Sequence, residues 1–155
     1  MSASLQRYQE TINGLLLDFQ WIELSLRMIV GCSYELLRRS APSLITFNPK
    51  QGALERDALG RLLERYSEVS HNVALVAEMK QLVKDRNYCA HQAFVLSLEE
   101  QDSKYLDPEI VRLTEIRARS RKCVYALLEE FKAIAAALHE SPSQAAKHEA
   151  PGDGA

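Results

Sequence analysis

The sequence predicts an all-α protein, an antiparallel four-helix bundle. Three observations carry that expectation. Apolar residues recur at steps of three and four over long stretches. No segment alternates with period two for long enough to make a strand. Turn and cap signals divide the chain into about four helical pieces. The length of 155 residues suits one domain with its own core.

The first piece runs through Leu5, Tyr8, Ile12, Leu15, Leu16, Phe19, Ile22, Leu26, Ile29, Val30, Tyr34 and Leu37. It predicts a helix from about Ser4 to Arg39, with Gly14 and Gly31 as candidate bends. Two prolines and a glycine between Ser40 and Gly52 then predict a loop. Leu54, Ala58, Leu59, Leu62, Leu63 and Tyr66 mark a second helix with a charged outer face. Ser70-His71-Asn72 offers a break, with Ser70 or Asn72 as the next N-cap. A third helix follows from Val73 to Phe94 and fades between Glu99 and Lys104. Asp107-Pro108-Glu109 reads as a helix start: an Asp cap, proline at the first position and an acid in the first turn. The fourth helix then runs to His139. Residues 140–155 hold no large apolar side chain, so the expected division is a bundle over 1–139 and a mobile tail.

Composition excludes several function classes. Nineteen Lys and Arg stand against twenty-one Asp and Glu, for a net charge of -2. Bulk charge therefore does not make this a nucleic-acid coating protein, and any such activity needs a local site. The N-terminus has no basic segment leading into an apolar core, and the apolar run Gly14–Gly31 carries Asp18, Glu23 and Arg27. Neither a secretory signal nor a membrane span is expected. Cys32, Cys89 and Cys123 are scattered and odd in number, which fits a reduced, cytoplasmic protein.

One string carries chemistry: Lys84-Asp85-Arg86-Asn87-Tyr88-Cys89-Ala90-His91, near the end of the third helix. Asn87 and His91 lie one turn apart on one face. Arg86 lies about 140° from His91, but its long side chain can swing toward the same anionic ligand. The arrangement resembles the HEPN family, the higher-eukaryote and prokaryote nucleotide-binding domains. That family is marked by Arg, a polar residue, a few more residues, then His, near a helix end in a small bundle. The match covers Leu54 to Phe94, with the flanking helices similar in length and type.

The resemblance implies a metal-independent endoribonuclease that needs no cofactor. It further implies a toxin–antitoxin or phage-defence setting, an RNA substrate, a homodimer that brings two motifs into one cleft, and a possible antitoxin partner. Arg86, Asn87 and His91 would then be the catalytic residues. The chemistry is sound without a metal. The RNA 2′-hydroxyl attacks the adjacent phosphate, a base takes its proton, and an acid protonates the leaving oxygen. An unperturbed His titrates near ~6.5 and suits either role. The forked, permanently charged Arg86 would clamp two phosphate oxygens, and Asn87 would hold the imidazole or the phosphate. The family also contains non-catalytic modules that bind a nucleotide or a partner protein, and that alternative stays open.

Blander readings stand beside these. His91 fits equally a partly buried, hydrogen-bonded structural histidine, and Arg86 a partner for a carboxylate on another helix. Arg65 and His71 repeat the Arg-to-His spacing across a predicted helix break. Cys89 reads as a small core residue rather than a ligand. Arg112, Arg117, Arg119, Arg121 and Lys122 oppose only Glu115, and form either an RNA-steering stripe or a solvated face. Trp21 and Tyr8 are candidates for a dimer surface or for the core.

Overall fold

A computed structural model describes residues 3–49, 51–93 and 103–141. Among them the structure is all-helical. Helix α1 spans Ala3–Ser40, α2 Gln51–Leu54, α3 Leu59–Val69, α4 Val73–Tyr88 and α5 Ser103–Glu140. A wider π-helical turn, Cys89–Ala93, closes α4. No helix among the described residues is long and apolar enough to cross a membrane. Phe94, the fading stretch 99–102 and the tail beyond Ser141 lie outside the described residues.

α1 starts and stops within one residue of expectation, because its apolar period is unbroken: Tyr8, Ile12, Leu15, Ile22, Leu26 and Ile29 are fully buried. Leu37 departs from that stripe and is exposed. The expected single second helix is two pieces, α2 and α3, with a break at 55–58. Arg27 holds the break by donating from Nε to the Leu54 carbonyl (3.1 Å) and from Nη2 to the Asp57 carbonyl (3.2 Å). Carbonyls freed at a helix end need such donors. Asn72 caps α4, its Oδ1 accepting from the Leu75 amide at 3.2 Å.

α5 begins at Ser103, upstream of the Asp107-Pro108 start that the sequence suggested, and Pro108 sits inside it. Proline there removes one helical hydrogen bond. Leu106, only 1% exposed, packs into the core from the turn before it and repays that loss.

Helix directions differ from a simple antiparallel bundle. α5 packs along α1 and runs parallel to it: Asp18 meets Ser120, while Arg39 donates to the carbonyls of Leu138 and Ser141. α3 rises in the same sense, since Arg27 lies beside Asp57, and Ser33 and Leu37 border the groove shared with Glu68 and Val69. α4 runs the other way, with Tyr8 against Ala93 and Glu23 against Arg86. The cause is the segment 41–49, which turns back along α1. Phe47 packs edge-on against Tyr34, ring centroids 5.9 Å apart, so the chain re-enters near the middle of α1 before α3 rises. A long connection of this kind is what lets sequential helices lie parallel.

Candidate functional site

The end of α4 is positioned by what its inner face touches. Leu82, Cys89 and Ala93 are fully buried. The π turn keeps the last two on the core side, and Tyr8, itself fully buried, donates its hydroxyl to the Ala93 carbonyl at 3.0 Å. That bond satisfies a carbonyl left free at the helix end. Tyr8 is thus a core residue and no part of a surface, whereas Trp21 is 49% exposed. Asp85 faces α5, where Arg119 donates to its Oδ2 at 2.9 Å. Tyr88 faces α5 as well: its hydroxyl donates to Glu109 Oε2 at 2.5 Å, and the Arg112 guanidinium lies 4.0 Å from its ring centroid. Burial first, and the bond to Glu109 second, push the Tyr88 hydroxyl up to about 12.

With the inner face so committed, the three motif residues divide. Asn87 and His91 are exposed, and no side-chain hydrogen bond or ion pair among the described residues reaches either. Arg86 turns toward α1, where its Nη2 lies 3.8 Å from Glu23 Oε1. That distance is an ion pair, too long for a hydrogen bond. Among the described residues no side-chain hydrogen bond or ion pair joins Arg86 to Asn87 or His91. Glu23 also faces Arg27 at 3.5 Å.

The comparisons with known proteins add no relative. No family model matches the chain, and neither the curated proteins nor the solved structures contain a match.

The basic segment of α5 resolves into internal ion pairs. Arg117 and Arg121 approach the buried Asp18 at 3.5 and 3.6 Å, Ser120 donates to the same carboxylate at 3.3 Å, Arg119 serves Asp85 and Glu78, and Arg112 pairs with Glu109 at 3.7 Å. These acids come from α1, α4 and α5, so the cations that looked like an RNA-steering stripe stitch α5 to its neighbours. Among them only Lys122 has no such partner among the described residues. The sequence held Asp18 and Glu23 only as charges interrupting an apolar run. Their pairing with Arg117 and Arg86 is a tertiary fact with no local signal.

The remaining candidates fall away. Cys89 and Cys123 are buried, and burial pushes both thiols up to about 11, which suits inert core residues. Cys89 points inward and His91 outward, so the two do not share a ligand position. Arg65 is taken by Asp57, Nε to Oδ2 at 2.6 Å, eight residues back. His71 borders a groove of about 500 Å³ between α1, α3 and α5, walled by Leu37, Val69 and Ile134. Arg86 is no part of that groove: it lies beside Glu23 near the middle of α1, whereas the groove borders Ser33 and Leu37 toward the helix end.

Proposed function

We propose that this chain is a HEPN-like, metal-independent endoribonuclease of a toxin–antitoxin or defence type, working as a homodimer. The observation that carries the reading is the state of His91. A structural histidine would be buried and hydrogen-bonded, whereas His91 is exposed, unpaired among the described residues, and on one face with Asn87. It is therefore open to solvent and to a phosphodiester. Arg86, five residues earlier, is about one-third exposed and held only by a long ion pair. A phosphate competes well for such a guanidinium, since it offers bidentate oxygens at hydrogen-bond distance.

One chain supplies one motif histidine, and the reaction needs two proton transfers. A second copy supplies the other, so one His91 takes the 2′-hydroxyl proton and the other protonates the 5′-oxygen that leaves. The two Arg86 side chains meet the charge that builds on the phosphorane. The experiment is RNA cleavage in EDTA by wild type, His91→Ala and Arg86→Ala. Loss of a proton-transfer group costs roughly 10²–10⁴-fold in rate. Equal cleavage by all three proteins would overturn the assignment.

A second reading is favoured by the Arg86–Glu23 pair, which gives Arg86 a structural occupation. In it the chain is a non-catalytic module that binds a nucleotide or a partner protein. Saturable nucleotide binding that depends on Arg86, with no cleavage of any RNA, would establish it.

A further inference from the structure

We infer that Tyr8 is a positioning residue for His91. Its hydroxyl reaches 85 positions along the chain to the Ala93 carbonyl and fixes the π-helical turn that carries the histidine. The inference deepens the ribonuclease reading and rests on it for its catalytic consequence. The hold on the turn is measurable without any reaction.

The motif straddles a change in helix type. Arg86 and Asn87 belong to α4, which ends at Tyr88, and His91 is the middle residue of the five-residue π turn Cys89–Ala93. In an unbroken α-helix His91 would stand about 40° round the axis from Asn87. A π-helix bonds each residue to the fifth along rather than the fourth, so each residue turns less about the axis. The wider winding brings His91 closer to standing straight above Asn87. Such turns are rare because the α-helix is normally the more stable choice. Contacts from outside the helix therefore have to tip the balance here.

Three contacts do so. Cys89 and Ala93, the first and last residues of the turn, are fully buried, which pins both of its ends on the core side. The third contact is the bond from Tyr8, 3.0 Å long. Tyr8 stands on α1 and is among the largest fully buried side chains. A ring packed into a dense interior keeps one rotamer, so its oxygen has one place to be, and so has the carbonyl it donates to. His91 itself is exposed, with no side-chain bond among the described residues, so its direction is set through the turn and not by a partner of its own. Arg86 is held differently, by Glu23 at 3.8 Å. The two halves of the motif thus have separate supports: Glu23 for the arginine and Tyr8 for the histidine.

Separate supports give separable effects. Holding the phosphate falls to Arg86 and Asn87, on the α-helical side of the boundary. Proton transfer depends on where the His91 imidazole stands. That geometry is demanding, since a misplacement of about 1 Å costs up to ~10²-fold in rate. Tyr8 is buried and touches neither RNA nor the reacting atoms, so its loss cannot act through substrate contact. Removing its hydroxyl should lower kcat and leave KM where it was, the signature of a defect confined to the transition state.

Tyr8→Phe keeps the ring and deletes the donor. Tyr66→Phe is the control, because Tyr66 is a second fully buried tyrosine whose hydroxyl is bonded, in its case to Glu130 on α5. Both full-length variants should fold by circular dichroism with a lowered Tm. Cleavage of a short RNA in EDTA, well below either Tm, should show kcat down by at least ~10-fold for Tyr8→Phe at unchanged KM, and both constants unchanged for Tyr66→Phe. Hydrogen exchange read by mass spectrometry should speed up by at least ~10-fold over residues 89–93 in Tyr8→Phe, while Leu75 to Leu82 of α4 keep the wild-type rate. An unchanged kcat for Tyr8→Phe, a loss matched by Tyr66→Phe, or a raised KM at constant kcat would overturn the positioning role. Wild-type exchange over 89–93 would overturn the hold on the turn. A wild type that cleaves no RNA would overturn the ribonuclease reading and the catalytic role of Tyr8 with it, and the exchange rates would still decide whether Tyr8 holds the turn.

Discussion

If Glu23 competes with RNA for Arg86, neutralising Glu23 should tighten RNA binding. Glu23→Gln keeps the side-chain volume and removes the charge. Its second partner, Arg27, is anchored independently by the Leu54 and Asp57 carbonyls, so the substitution frees Arg86 without releasing the α2–α3 break. At the 3.8 Å separation of Arg86 and Glu23, Coulomb's law gives about 1 kcal/mol in water and about 4 kcal/mol at an effective dielectric of ~20. Arg86 is 35% exposed, and pairs of that kind are worth at most about 1 kcal/mol when measured. The expected gain in affinity for a short single-stranded RNA is therefore up to ~5-fold. Fluorescence anisotropy at low and high salt reads it, and the gain should shrink as salt rises. A double-mutant cycle with Arg86→Ala decides the cause, because the gain should vanish when Arg86 is absent. Unchanged or weaker binding by Glu23→Gln would refute the reasoning, as would a gain that persists without Arg86.

Two further predictions concern stability. Tyr66 is fully buried and donates to Glu130 Oε2 at 2.5 Å, while Ser70 donates to Oε1 of the same carboxylate at 3.1 Å. Tyr66→Phe keeps the ring and deletes a charge-assisted hydrogen bond, so it should cost about 1.5–3 kcal/mol and lower Tm by roughly 4–10 °C; a Tm within ~1 °C of wild type would count against that bond. Glu35 is held at about 2 by hydrogen bonds from Arg38 and Arg39. Because its folded value lies below the unfolded value of ~4.3, its contribution is present above that pH and is lost as pH falls toward 2. Urea midpoints taken at pH ~7, ~4 and ~3 should fall less steeply for Glu35→Gln than for wild type, and parallel curves would contradict the bonding.

What could be read from the sequence was set by how local its cause is. The period of α1 and the Asn72 cap depend on residues within one or two turns, and both were legible. The start of α5 was not, because Pro108 is a strong local stop that the burial of Leu106 overrides. Helix direction was hidden for a different reason. Periodicity says which face of a helix is buried but not against which neighbour or in which sense, and here a nine-residue return segment decides it. The candidate site divides the same way. The string from Arg86 to His91 is visible in one dimension, and so is the shared face of Asn87 and His91. Glu23, which lies 63 positions away and holds Arg86, is visible only in three. A sum of charge along α5 likewise suggested a free basic stripe, because Asp18 and Asp85, which neutralise it, arrive from other helices.

The outer stripe of α1 makes the general point most sharply. Leu17, Trp21, Leu24 and Met28 interleave with the core residues of the same helix, and a search for one amphipathic face absorbs them as surplus. Two apolar stripes on one helix are indistinguishable in sequence from one broad stripe until a structure assigns the core to one side. Once Tyr8, Leu15 and Leu26 are fully buried and Trp21 stays half exposed on the opposite side, the surplus becomes a second surface.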